Sequence, residues 1–163
     1  MPGETLYDVD FYAWSQEQAE MLRALARDAA GLPNALDIRN IAEEIEGVGN
    51  SQLSAMASRI RLILAHLIKC VSDPESAALR HWRTEMVVWH GDLLADITRA
   101  MQAKIDMNLE WRRATRQAQA AFAEHDQALA AGLPKTCPIP LGALLEEELD
   151  FAALTGLIEA ARA

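Results

Sequence analysis

The stretch from Asn40 to Lys69, NIAEEIEGVGNSQLSAMASRIRLILAHLIK, limits what this chain can fold into more than any other part of it. Taken at 3.6 residues per turn, Ile41, Ile45, Val48, Gln52, Met56, Arg59, Ile63 and His66 fall within about 80° of one another, which predicts one long amphipathic helix. Leu53, Ile60, Leu64 and Leu67 widen this stripe on one side and Leu62 on the other. From Ile60 to Ile68 the segment is apolar nearly all round, the pattern of a helix packed on several sides. Asp37 is placed to cap it, because its carboxylate can accept from the unpaired amides of the first turn. Gly47 and Gly49 flank Val48, and each costs roughly 1 kcal/mol relative to alanine inside a helix. This is where the sequence allows a kink or a break.

The remaining segments read as helices arranged around this one. A first helix capped by Asp8 or Asp10 ends near Gly31, with Phe11, Trp14, Gln18, Met21, Leu22, Leu25 and Ala29 as its inner face. A short connection from Leu32 to Leu36 makes it the antiparallel neighbour of the organising helix. Asp73-Pro74-Glu75 combines a cap, a first-turn proline and a first-turn acid, and predicts a restart. The third helix carries Leu79, Trp82, Met86, Trp89, Leu93, Ile97 and Met101 and runs to about Lys104. A fourth, capped by Asp106 or Asn108, carries Trp111, Ala114, Ala118, Ala121, Phe122 and Leu129 and stops at Gly132-Leu133-Pro134. Beyond the extended Cys137-Pro138-Ile139-Pro140, a short acidic helix from Leu141 to Leu149 and an amphipathic piece from Phe151 to Ala161 form a tail. The fold class is therefore all-α: four main helices, one of them long and central, plus a short helical tail. Residues 1–163 form one domain, with its core over 8–132 and the tail over 133–163.

Composition narrows the function. A formal charge of −9 argues against general affinity for nucleic acid, which rests on neutralised phosphates. Cys70 and Cys137 have neither metal-ligand spacing nor a disulfide framework, which suits a reducing cytoplasm. Met1-Pro2-Gly3-Glu4 lacks the features of a secretory signal, and no apolar run is long enough for a membrane span. Phosphate loops, dinucleotide fingerprints and Gly-x-Ser-x-Gly are all missing from the sequence.

Several short motifs nevertheless recur in a known order. Tyr7-Asp8-Val9-Asp10-Phe11-Tyr12-Ala13-Trp14, Ile41-Ala42-Glu43-Glu44-Ile45-Glu46 with Gly49, Arg59, Leu64-Ala65-His66-Leu67-Ile68-Lys69, Trp82-Arg83 and Cys137-Pro138 before a leucine-rich acidic segment span almost the whole chain. In these the sequence resembles the bacterial domain of unknown function family numbered twenty-nine. The resemblance implies a helical bundle and assigns no activity, so no catalytic residue is carried over. The chain departs from the family in lacking a Ser-Pro after the third helix and in its extra apolar piece past Leu149.

The polar residues on the organising helix are the candidates for a site. Arg59 and His66 share its stripe about 10 Å apart in rise. Their spacing is a weak match to the Arg-x(4–6)-His motif of HEPN-type ribonucleases, in which histidine would act as acid or base and arginine would steady phosphate charge. The competing reading pairs Arg59 with an inward carboxylate and makes His66 a hydrogen-bonded core residue. Glu44 is expected to accept from Arg59, Arg80 or Arg83, with Glu43 and Glu46 solvated. A metal would need ligands such as His81, Glu85 or His90 from other helices; Glu-x-x-His and His-Glu-x-x-His are absent, and no metal or cofactor is expected. Trp82 reads as an aromatic anchor with Arg83 beside it. Arg112, Arg113 and Arg116 form a basic cluster that suits an acidic partner such as Glu146-Glu147-Glu148 with Asp150, including the run of another copy. The reading is an interaction or scaffold module, a homodimer or one bound to another protein, since the tail from Phe151 to Ile158 has no evident place in a four-helix core. The alternatives are the ribonuclease and a small-ligand or metal pocket within the bundle.

Overall fold

The computed structural model describes residues 4–28, 33 and 36–162, and among them the chain is helical without a strand. The elements are α1 (Leu6–Val9), α2 (Phe11–Arg27), α3 (Ile38–Ser72), α4 (Leu79–Asp96), α5 (Arg99–Gln102), α6 (Met107–Ala123), a 3-10 turn at Leu141–Leu144, and α7 (Phe151–Ala160). They form two compact units. One comprises Met1–Ala55 with Thr98–Ile105, the other Met56–Ile97 with Asp106–Ala163, and α3 contributes its first half to one and its second half to the other. No helix among the described residues is long and apolar enough to cross a membrane.

Helix α3 runs for 35 residues through both glycines, so no break occurs there. Asp37 caps it as the sequence predicts, its Oδ1 accepting from the Asn40 amide at 3.3 Å. Gly49 serves close packing: a Cβ there would overlap Ser15 Oγ, and Ser15 is fully buried, with its hydroxyl donating to the Tyr12 carbonyl at 2.8 Å. Nothing lies near the same position on Gly47.

This contact fixes the first unit. Gln16 reaches Asn50 at 3.5 Å and Arg23 pairs with Glu46, so α2 and α3 run antiparallel. Asp10 caps α2 by accepting from Ala13 at 2.9 Å and also accepts from the Ala100 amide of α5 at 3.3 Å. Asp8 instead closes a reciprocal box with Thr5 at the start of α1, which holds its carboxyl below the usual range. The buried face of α2 is Tyr12, Ser15 and Ala19, rotated from the expected one, and Met21 and Leu25 are 61% and 46% exposed. On α3 the covered positions are Ile38, Ala42 and Gly49, while Ile41, Val48 and Gln52 of the expected stripe are exposed. The largest side chains lose because a close interhelical approach requires the smallest ones at the contact. Ala29, Gly31, Leu32 and most of the connection to Leu36 lie outside the described residues.

In the second unit the apolar density of the sequence is decisive. Ile60, Ile63, Leu64, Leu67 and Ile68 are fully buried, together with Met86 and Leu93 of α4, and Trp111, Ala114 and Ala118 of α6 are covered to the same degree. Several expected boundaries shift. Asp73-Pro74-Glu75 forms a turn, closed by Ser76 N–H donating to the Asp73 carbonyl at 3.2 Å, and α4 begins only at Leu79. It ends at Asp96, short of Lys104, because Ile97 turns extended and Thr98 caps the separate α5 by accepting from Met101. Asp106 caps α6 by accepting from Leu109 at 3.0 Å. That helix stops at Ala123, well before Gly132: Asp126 adopts φ 55°, and Gln127 N–H donates to the Phe122 carbonyl while Asp126 N–H donates to that of Ala123. The closure is a Schellman-type end in which an aspartate replaces the usual glycine. The expected acidic helix at 141–149 is only the 3-10 turn, since three successive glutamates at its C-terminal end would oppose the helix dipole. The tail is accommodated after all: Asp150 caps α7 and its Leu154 and Ile158 are buried, while Phe151 is half-buried and Leu157 is exposed.

The two glycines should respond oppositely to the same substitution. Gly47→Ala is expected to raise stability by up to about 1 kcal/mol through helix propensity, while Gly49→Ala should lower it by about 1–3 kcal/mol through overpacking against Ser15. Urea unfolding of both variants checks this.

Candidate functional site

Arg59 and His66 do not line a common hollow. Arg59 faces Asp92 and Asp96 of α4, at 3.8 and 3.5 Å, and its charge is answered there. Glu44 is exposed and has no ion-pair partner among the described residues; the glutamate of that segment that is paired is Glu46, held by Arg23 and thereby kept below the usual carboxylate range.

His66 lies 6% exposed at the centre of a polar cluster. Its Nδ1 is 3.0 Å from the Leu62 carbonyl one turn back, and its Nε2 is 2.9 Å from Glu85 Oε2 and 3.0 Å from Lys69 Nζ. The Trp89 ring meets the imidazole edge-on at 4.8 Å, and exposed His81 reaches the same Glu85 oxygen at 3.4 Å. With Nδ1–H donating to Leu62, the Nε2 lone pair can accept from Lys69; if His66 is protonated, Nε2–H donates to Glu85 instead. Burial pushes the imidazole below its ordinary value and the Lys69 ammonium adds to this, outweighing the pull of Glu85 and Leu62 in the other direction. Lys69 is itself lowered, chiefly by burial, and lies over the Trp82 ring at 5.0 Å.

The cluster gathers His66, His81 and Glu85 as a metal would require, yet the Lys69 ammonium already stands at the imidazole nitrogen. Among the described residues no group of three His, Cys, Asp or Glu side chains is arranged to hold a metal ion. Trp82 is half-buried against Phe122, and Arg83 is exposed over the Phe151 ring at 5.7 Å. Both thiols are free and are pushed up by burial, which disfavours the reactive thiolate. Arg61 also fits the Arg-x(4–6)-His spacing but points away from His66, and its partner was not foreseen: its guanidinium bonds the buried Glu110 at 3.3 Å, with Arg113 on the other Glu110 oxygen at 2.8 Å. A glutamate in the first turn of α6 next to a core tryptophan was the available signal.

Among the described residues, two surfaces gather exposed basic or apolar side chains that the fold leaves unused. Arg112, Thr115 and Arg116 of α6 with Leu133, Pro134 and Lys135 surround a cleft of about 610 Å³ above Trp111, whose Nε1–H donates to the Pro134 carbonyl at 2.8 Å. The second is on the first unit. Arg23, Ala26 and Arg27 of α2 share a small cleft with Arg39 and Glu43 of α3, which places the basic residues of these helices on one side of the hairpin. Helical geometry then sends Met21 and Leu25, with Ile41 and Val48, to the opposite side. These four are 61%, 46%, 39% and 49% exposed, and Glu17 on α2 and Glu44 on α3 are exposed as well.

An all-helical protein built on one long helix is the class these features define. Residues 6–150 match the family described as Domain of unknown function DUF29, and the chain belongs to it. It is also similar to an α-helical protein of unknown function from Rhodospirillum rubrum, known from a crystal structure, at 40% sequence identity and a TM-score of 0.84. That similarity covers 94% of this chain and 98% of the other, so it includes residues beyond the family match. A search of curated proteins found no match.

The lowered His66 value fixes the sign of a pH effect. Near pH 6.5 the unfolded chain takes up a proton at this residue that the folded chain refuses. Stability is therefore full above that pH, declines as pH falls through it, and levels off below the folded value. Unfolding curves between about pH 7.5 and 5.5 should show this slope in the native chain and a flatter one in His66→Asn; parallel profiles would assign the slope elsewhere.

Proposed function

We propose that the protein is an interaction module of the bacterial cytoplasm and that the apolar side of the α2–α3 hairpin is its docking face. The observation that carries this reading is the segregation of Met21, Leu25, Ile41 and Val48 to one side of the hairpin while Arg23, Arg27 and Arg39 occupy the other. Burying a large apolar side chain is worth about 1.5–3 kcal/mol, so four left uncovered away from the basic side favour an occupant. The exposed Glu17 and Glu44 suit an amphipathic helix whose apolar stripe is bordered by lysine or arginine, laid against this side. They would repel a second hairpin of the same charge. The two free thiols are in keeping with a reducing compartment.

The ribonuclease alternative draws less support from the same geometry. Arg59 and His66 are each occupied by carboxylates, which would repel a phosphate, and His66 is enclosed.

A synthetic amphipathic helix of leucine and lysine should bind with an affinity that falls at least about tenfold in Met21→Asp/Leu25→Asp, roughly 1.4 kcal/mol or more. Titration calorimetry measures it. A leucine–glutamate peptide and a scrambled leucine–lysine peptide should fail to bind. Equal binding of either control, or an unaffected double variant, removes the docking face.

A further inference from the structure

We infer that a second copy of this chain sets its acidic run Glu146-Glu147-Glu148 into the cationic cleft formed by Arg112, Arg116 and Lys135. The inference uses the second unit and is independent of the hairpin face.

The cleft holds charge that the chain leaves unanswered. Arg112 and Arg116 are exposed one turn apart on α6, where like charges repel. Lys135 adds a third cation across the cleft, and none of the three has an ion-pair partner among the described residues. Arg113, between them in sequence, is paired with Glu110, which shows that the local carboxylate is already used. The floor of Leu133 and Pro134 gives an entering segment apolar surface as well as charge.

The acidic run is the matching half. Glu146, Glu147 and Glu148 are exposed and have no ion-pair partner among the described residues. They are also held in place. Before them Leu144 is buried and Leu145 N–H donates to the Gly142 carbonyl at 3.0 Å; after them Asp150 accepts from Ala153 at 2.9 Å and starts α7. A segment fixed at both ends loses little freedom on docking. Leu145 and Leu149, half-buried at its two ends, frame the glutamates and can lean on the cleft floor.

Cleft and run belong to the same compact unit and yet do not meet within it. Two molecules can satisfy both halves reciprocally, which gives a closed two-fold pair. The contact also replaces the premise of the dimer expectation: the tail Phe151–Ile158 is packed into its own unit, whereas the run just before it is left open. In a chain of charge −9 the general repulsion between copies opposes the contact, so the association should be weak and sharply sensitive to salt.

Sedimentation velocity of the full chain across a range of concentrations tests this, at about 20 mM and about 300 mM sodium chloride, which bracket strong and weak screening. At low salt the mass should rise from monomer towards dimer with concentration, and at high salt it should fall back. Arg112→Glu/Arg116→Glu and Glu146→Lys/Glu147→Lys/Glu148→Lys should each remain monomeric while keeping native circular dichroism. Mixing the two should partly restore association, since one supplies an intact run and the other an intact cleft. The peptide corresponding to residues 145–150 should compete with the native pair, and Met21→Asp/Leu25→Asp should leave it unchanged. Should either charge reversal misfold, Lys135→Glu and the competing peptide carry the test. A monomer at every concentration in low salt, association that survives the reversals, or a mixture that stays monomeric overturns the inference.

Discussion

Helix α2 can lie against α3 only where α3 has almost no side chain. At Gly49 the Ser15 side chain occupies the volume that any Cβ would need, and Ala19 and Ala42 keep the rest of that line fully buried. Such closeness brings many atom pairs within dispersion range, and each adds only about 0.1–0.2 kcal/mol, so the gain lies in their number. The rotation that permits this contact decides everything else in the first unit. It turns Tyr12 inward, aligns Arg23 with Glu46, and leaves Met21, Leu25, Ile41 and Val48 on the far side. The exposed apolar residues and the buried line are two consequences of one rotation.

The second unit settles its charges by a different logic. Glu110 is 3% exposed and lies between two guanidiniums, an arrangement that offsets the desolvation of a carboxylate. His66 is enclosed with Lys69 and Glu85, so its proton is contested by a cation and an anion at nearly equal distance. His90 Nε2 is buried without a partner among the described residues, at a cost typical of about 1–3 kcal/mol. The unit holds this imidazole among Met86 and Leu93 of the same helix, which are fully buried. Against that background, cations and carboxylates left unanswered at the surface stand out as the parts not used for folding.

Much of the fold was legible residue by residue. The all-helical class followed from apolar spacing, the position of α3 from its dense second half, and the caps at Asp10, Asp37 and Asp106 from the chemistry of a carboxylate beside free amides. Other ends were hidden. Asp126 ends α6 because it tolerates a left-handed backbone, a role that glycine at position 132 was better placed to claim by composition alone. Thr98 could be recognised as a cap only once Ile97 had turned extended, which no local propensity requires. The candidate site was less legible still. His66 was marked as inward, but its partners Glu85 and Lys69 are selected by the packing of α4 and by a neighbour one turn along α3.

By itself the sequence determined that this chain is helical, where its longest helix lies and which half of that helix is enclosed, because periodicity and apolar density are local properties of the chain. Only the tertiary structure decided which face of α2 and of the first half of α3 is covered. Hydrophobicity ranks Met21 and Val48 above Ser15 and Gly49, whereas the approach of two backbones rewards the absence of atoms, and that reward exists only when a partner helix is present.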